Sequence, residues 1–164
     1  MSRLLCALLV LVMSLGGCAL LENQKKAREQ DFYPFPDHYV QFDAAVSWQV
    51  QRSGQDLVID GVFKNIRYDW MNGVEVRVES IDPAGKKQAR ARSLLFPSRI
   101  EYNQMVPFSL KLPMPVPGSK LRFTYLYGAL SGAGNGNDGR GGGDTGFWMQ
   151  SFDAAIPEAV MNGS

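Results

Sequence analysis

From Tyr39 onward apolar residues return at every second position, and that period admits a pleated strand with one buried face and little else. Val40, Phe42, Ala44, Val46, Trp48 and Val50 alternate with Gln41, Asp43, Ala45, Ser47, Gln49 and Gln51, which predicts one half-buried strand. Arg52-Ser53-Gly54-Gln55 turns the chain into Leu57 to Lys64, where Leu57, Ile59 and Phe63 share a face, and Asn65 to Asn72 is expected to be a loop. Val74, Val76 and Val78 alternate with Glu75, Arg77 and Glu79 and lead to Asp82-Pro83-Ala84-Gly85. There proline sets the φ of the second turn position and glycine closes the turn without steric cost. The return limb, Lys86 to Phe96, is basic on its outer positions and is expected to be an edge strand whose charges discourage pairing with other chains. Val106, Phe108, Leu110 and Leu112 form a further alternating set, Pro113, Pro115 and Pro117 force an extended connection, and Leu121, Phe123, Tyr125 and Tyr127 follow. Phe147 to Asp153 is the last predicted strand. About seven short strands, with turn signals between them and no long helix, imply an all-β antiparallel sandwich over residues 39–156, with 157–164 as a tail.

The middle of the chain, Leu57 to Leu112, resembles the FxLYD and late-embryogenesis-abundant-like immunoglobulin-type sandwiches of bacterial envelope proteins. The resemblance is carried by Leu57-Val58-Ile59-Asp60-Gly61-Val62-Phe63-Lys64-Asn65, by the stretch from Val74 to Lys86, and by Pro107-Phe108-Ser109-Leu110-Lys111-Leu112. Ser80-Ile81-Asp82 stands where the family's strand usually ends in Tyr-Asp, and Glu101-Tyr102-Asn103-Gln104 replaces the usual Pro-Gly before the Phe strand. The resemblance implies an immunoglobulin-like β-sandwich acting as a non-enzymatic envelope module, with no catalytic residues to carry over.

The amino terminus points to the same compartment. Arg3 precedes an apolar run from Leu4 to Leu15, and Gly16-Gly17 stand before Cys18. The run is too short to span a bilayer before Glu22, Lys25 and Lys26 end it, and it matches a signal peptide. Leu15-Gly16-Gly17-Cys18 resembles a bacterial lipobox, which implies removal of residues 1–17 and acylation of Cys18 by a diacylglyceride and an N-linked palmitate-like chain. Two or three acyl chains give durable anchorage where one gives only marginal binding. Ala19 in place of Asp implies transfer to the outer membrane, facing the periplasm. Residues 18–38 form the tether: about twenty flexible residues span roughly 25 Å. Glu22 and Lys26, spaced i,i+4, are compatible with a short helix over Leu21 to Glu29.

Composition removes several classes of function. Without Arg3, sixteen Lys and Arg face sixteen Asp and Glu, a balance that argues against nucleic acid and against a polybasic grip on lipid. Cys6 leaves with the signal and Cys18 is acylated, so no disulfide is expected. His38 is the single histidine, which leaves neither a Ser-His-Asp arrangement nor a closed zinc site, and the chain is expected not to be an enzyme and to need no cofactor. Glu75 and Glu79 share a strand face, but Arg77 between them favours a solvated outer face over an acid/base pair. The methionines show no metal spacing.

Gly128 to Gly146 holds nine glycines in nineteen residues, including a formal GxGxxG at Gly134 to Gly139. Arg140 and three glycines follow where a dinucleotide site needs a helix, so the motif is read as a hairpin excursion of the sandwich. Its rival is calcium, held by oxygens of Asn135, Asn137, Asp138 and Asp144. Loops on rigid scaffolds carry recognition. The candidate contact residues are therefore Trp70, Lys86, Arg90 and Trp148, and the expected partners are the membrane through Cys18 and another envelope protein. The alternative is a ligand-binding module for glycan or calcium.

Overall fold

The computed structural model describes residues 33–130 and 145–162. Their secondary structure lies within the compact unit Phe35–Ser164 and contains nine strands and one short helix. β1 (Asp37–Val40), β2 (Ala44–Ser53), β3 (Asp56–Asn65) and β7 (Met105–Pro113) form one sheet in the order β1-β2-β3-β7. β5 (Lys87–Leu94), β4 (Trp70–Ile81), β8 (Lys120–Leu130) and β9 (Thr145–Ala155) form the other in the order β5-β4-β8-β9, and β6 (Arg99–Glu101) pairs with the start of β4. Every one of these pairings is antiparallel. The sheets pack face to face without closing into a barrel, as the expected all-β sandwich requires. The helix α1 (Glu158–Asn162) follows β9 where the sequence implies only a tail.

The first alternating segment is not one strand. β1 ends at Val40, the Gln41 N–H donates to the Ala44 carbonyl at 2.9 Å, and β2 folds back so that Val40 faces Ala45 and Asp37 faces Trp48. Parity hides this break, because Val40, Phe42 and Ala44 keep alternating through the turn. The strand count rises from seven to nine through β1 and β6. β1 also takes Asp37 and His38 out of the expected tether, and β4 claims Trp70 to Asn72 from the expected loop.

Elsewhere parity holds. Leu57, Ile59 and Phe63 of β3 are fully buried, as are Val74, Val76 and Val78 of β4, and the alternating apolar sets of β7 and β8 are buried too. The missing beat in β3 is Gly61, whose cross-strand partner is Phe108. A Cβ on Gly61 would meet the Phe108 ring at 2.3 Å and the Ser47 carbonyl oxygen at 2.7 Å, so the phenylalanine fills the space a side chain would take. Trp48 lies 4.7 Å from the Phe123 ring, which stacks on Phe152 at 5.0 Å, and Tyr39 covers Phe152 at 4.0 Å. Each large ring contributes about 1.5–3 kcal/mol by leaving water, and the stack joins β1 and β2 to β8 and β9.

The two ends of the sandwich are built differently. At the lower end, tight turns join β2 to β3 and β4 to β5. In the second, Gly85 takes φ +83° and donates to the Asp82 carbonyl, while the Asp82 carboxylate accepts from the Lys86 N–H at 2.8 Å. At the upper end lie the β1–β2 turn, the β3–β4 and β5–β6 connections, the β6–β7 turn, and the ends of β8 and β9.

Candidate functional site

Asp43, just before β2, is completely buried at the upper end. Its two carboxylate oxygens each accept a tyrosyl hydroxyl from β8: Tyr125 at 2.7 Å and Tyr127 at 2.5 Å. Tyr125 and Tyr127 are two residues apart, so the pleat aims both at the opposite sheet. Burial, reinforced by the hydrogen bond to Asp43, pushes both hydroxyls well above the ordinary tyrosine range and keeps them protonated as donors. Beside this cluster Asn65 is also fully buried. Its amide donates to the Tyr68 and Ile100 carbonyls, and its side-chain oxygen accepts from the Arg67 and Tyr68 N–H groups. The Ile66 N–H bonds the Asp43 carbonyl at 3.1 Å. This polar knot ties the start of β2, the end of β3, β6 and β8 together. Its groups are partnered and shut away from solvent, so the arrangement holds structure and reaches no substrate. Nothing in the alternation singles out Asp43, since an aspartate between apolar residues reads as an outward position.

The outer face of the second sheet is open. Three rows run across it: Leu94–Glu75–Leu126–Met149, Arg92–Arg77–Thr124–Ser151 and Arg90–Glu79–Arg122–Asp153. Asp153 accepts two bonds from Arg122, at 2.7 and 2.9 Å, and pairs with Lys120 at 2.7 Å; these bonds hold its carboxyl well below the usual carboxylate range. Glu75 pairs with Arg77, which lowers its carboxyl too, and Glu79 pairs with Lys87 at 2.9 Å. Both glutamates are thus engaged by cations on the same face. With Arg99 and Glu101 of β6, seven cations (Arg77, Lys87, Arg90, Arg92, Arg99, Lys120 and Arg122) stand against four anions (Glu75, Glu79, Glu101 and Asp153) on this face.

The four sequence-predicted contact residues do not converge. Lys86 is exposed in the lower β4–β5 turn, and Arg90 lies midway along β5 opposite Glu79. Trp70 begins β4 at the upper end, half-buried, with the Arg99 guanidinium 4.2 Å above its ring and Arg99 paired to Glu101. Trp148 pairs with Tyr127 on edge strand β9 and is 39% exposed. Cys18 and the calcium candidates Asn135, Asn137, Asp138 and Asp144 lie outside the described residues. Among the described residues, no group of three or more His, Cys, Asp or Glu is placed to hold a metal.

Sequence reasoning missed an apolar upper end. Phe147 is 92% exposed, Phe96 73% and Met149 63%, followed by Tyr102 and Leu94. On the first sheet and its β1–β2 turn, Val40, Phe42 and Met105 are exposed as well. With Trp148 these are nine of the ten large apolar side chains left exposed among the described residues, and each lies within four residues of the upper end of its strand or in a loop beyond. The tenth, Val116, lies at the lower end. A signal existed: in Phe147-Trp148-Met149 a strand must turn at least one of three consecutive apolar residues outward. Two clefts also open on the sandwich. One, of about 280 Å³, lies between β1 and β9 and is lined by Tyr39, Trp48, Phe152 and Pro157 among others; the second, of about 730 Å³, lies between the β2–β3 turn and α1. Compared with models of known protein families and with curated proteins, the chain matches none.

Proposed function

We propose that this chain is a lipid-anchored, non-enzymatic module of a bacterial cell envelope. Cys18 carries the lipid, and the sandwich makes protein contacts through the outer face of its second sheet. The observation that carries the reading is the charge of that face: seven cations against four anions, bordered by the edge strand β5 with Arg90 and Arg92 exposed. The charges of β5 discourage addition of another strand at the edge, so the contact is made by the open face, whose charge selects what approaches. The partner on this reading is an acidic protein surface. The resemblance of Leu57 to Leu112 to FxLYD-type envelope sandwiches supports a role of this kind.

The test is recovery of partners from detergent-solubilised envelopes by wild type and by an Arg90→Glu/Arg92→Glu variant. Wild type is expected to retain a partner that the variant and moderate salt release. Recovery of none by wild type, or equal recovery by both, counts against the reading. The rival, a module for glycan or calcium, expects heat on calorimetric titration with peptidoglycan fragments or calcium, where the contact module expects none.

A further inference from the structure

We infer that the apolar upper end of the sandwich rests on the lipid surface, with Phe42, Phe96, Tyr102, Phe147 and Met149 entering the boundary between headgroups and acyl chains. The inference rests on the anchored reading above. What these side chains share is height along the strands. Met105 stands on the outer face of the first sheet, Phe42 in that sheet's β1–β2 turn, Phe147 and Met149 on the outer face of the second, and Tyr102 in the β6–β7 turn that crosses between them. A protein partner would cover one side of such a group. A planar apolar phase meets all of it at once, because strands rise only about 3.3 Å per residue and the set spans some four residues. That is about 13 Å, so the outermost groups fall within the roughly 5–10 Å to which interfacial elements sink, and Met149, lowest on its strand, stands at the headgroup edge.

The polar groups among them suit the same plane. Arg67 lies 5.1 Å from the Phe42 ring and 5.7 Å from that of Tyr68, and Arg99 lies over Trp70, which places guanidinium groups at the level of lipid phosphates with their stems along aromatic surface. Of the acids at this end, Glu101 is paired with Arg99, Glu75, in the row of Leu94 and Met149, is paired with Arg77, and Asp69 sits exposed at the rim. Reach is not limiting. The stretch of chain from acylated Cys18 to Asp37, the first residue of β1, can extend to about 60 Å at roughly 3.3 Å per residue, and β1 begins only three residues below the upper end. Among the described residues no helix is long and apolar enough to cross a membrane, so the contact proposed is with the surface.

The test places the full lipidated chain in phosphatidylethanolamine and phosphatidylglycerol vesicles with and without brominated acyl chains, which quench indole only at contact. Trp148 and Trp70 lie at the upper end and Trp48 in the core, so the difference between wild type and Trp148→Phe isolates one exposed reporter. Its emission is expected to fall about twofold on brominated lipid, as for an interfacial side chain, and to recover in a Phe147→Ser/Met149→Ser variant with the Cys18 lipid intact by mass. An acylated chain whose Trp148 is unquenched overturns the inference alone. Trp148 unquenched in vesicles yet shielded from iodide in native envelopes also overturns it, and assigns the upper end to a protein. A Cys18 without lipid overturns the anchored reading and this one with it.

Discussion

The sandwich finishes its strands in opposite ways at its two ends. Below, short turns close on glycines and on their own backbone, as Asp82 to Lys86 does, and exposed side chains are mostly polar. Above, a buried carboxylate sits inside and large apolar groups stand outside. Burying Asp43 costs desolvation that its two hydroxyl partners offset, and leaving Phe147 in water forgoes the gain of burying it. Neither arrangement is needed to end a strand, as the lower end shows. The contrast separates what holds the fold from what is left facing outward, and it can be attacked at four points.

Asp43→Ala should have the largest effect, because it strands two buried tyrosyl hydroxyls: a loss of about 2–6 kcal/mol at roughly 1–3 per unsatisfied group, read from urea unfolding. A stability within error of wild type would mean that the knot is incidental. Gly85→Ala at the lower end forces a Cβ into φ +83° with open space around it, so the cost is conformational alone, about 1–2 kcal/mol. Its thermal midpoint should fall less than that of Asp43→Ala.

Acid tests the open face. The bonds from Arg122 and Lys120 depress the folded pKa of Asp153 below its ordinary 3.8. That stabilisation is complete above the unfolded value and drains away as pH falls through the lower folded one. Asp153→Asn should therefore be less stable than wild type at neutral pH and converge with it in acid below the ordinary value. Because the site is about a third exposed, the gap should stay under about 1 kcal/mol. Phe147→Ser/Met149→Ser should change stability least, within about 0.5 kcal/mol, in a denaturant titration run beside the lipid-contact measurement. A large loss there would show that the upper apolar groups belong to the fold.

Much of the fold was legible because strand parity is a local signal. Val74, Val76 and Val78, or Leu121 to Tyr127, declare their buried face without reference to any other segment. The division of β1 from β2 was not legible, because Phe42 keeps the beat while standing in the turn. Of the site, the basic positions of β5 were legible as an edge. The upper apolar end was not, because it assembles residues from the β1–β2 turn, β5, β7 and β9 whose common height exists only after pairing sets the register. Asp43 escaped for a related reason: its partners lie 82 and 84 residues away.

That separation also makes the upper end depend on two distant parts of the chain at once. Until β8 arrives, Asp43 has no hydroxyl to accept from, and the strands before it can shut over that position only around a bare charge. A sandwich closed without β8 would bury that carboxylate unpartnered, so Asp43 makes the energy of the upper end depend on the tyrosine strand being in register.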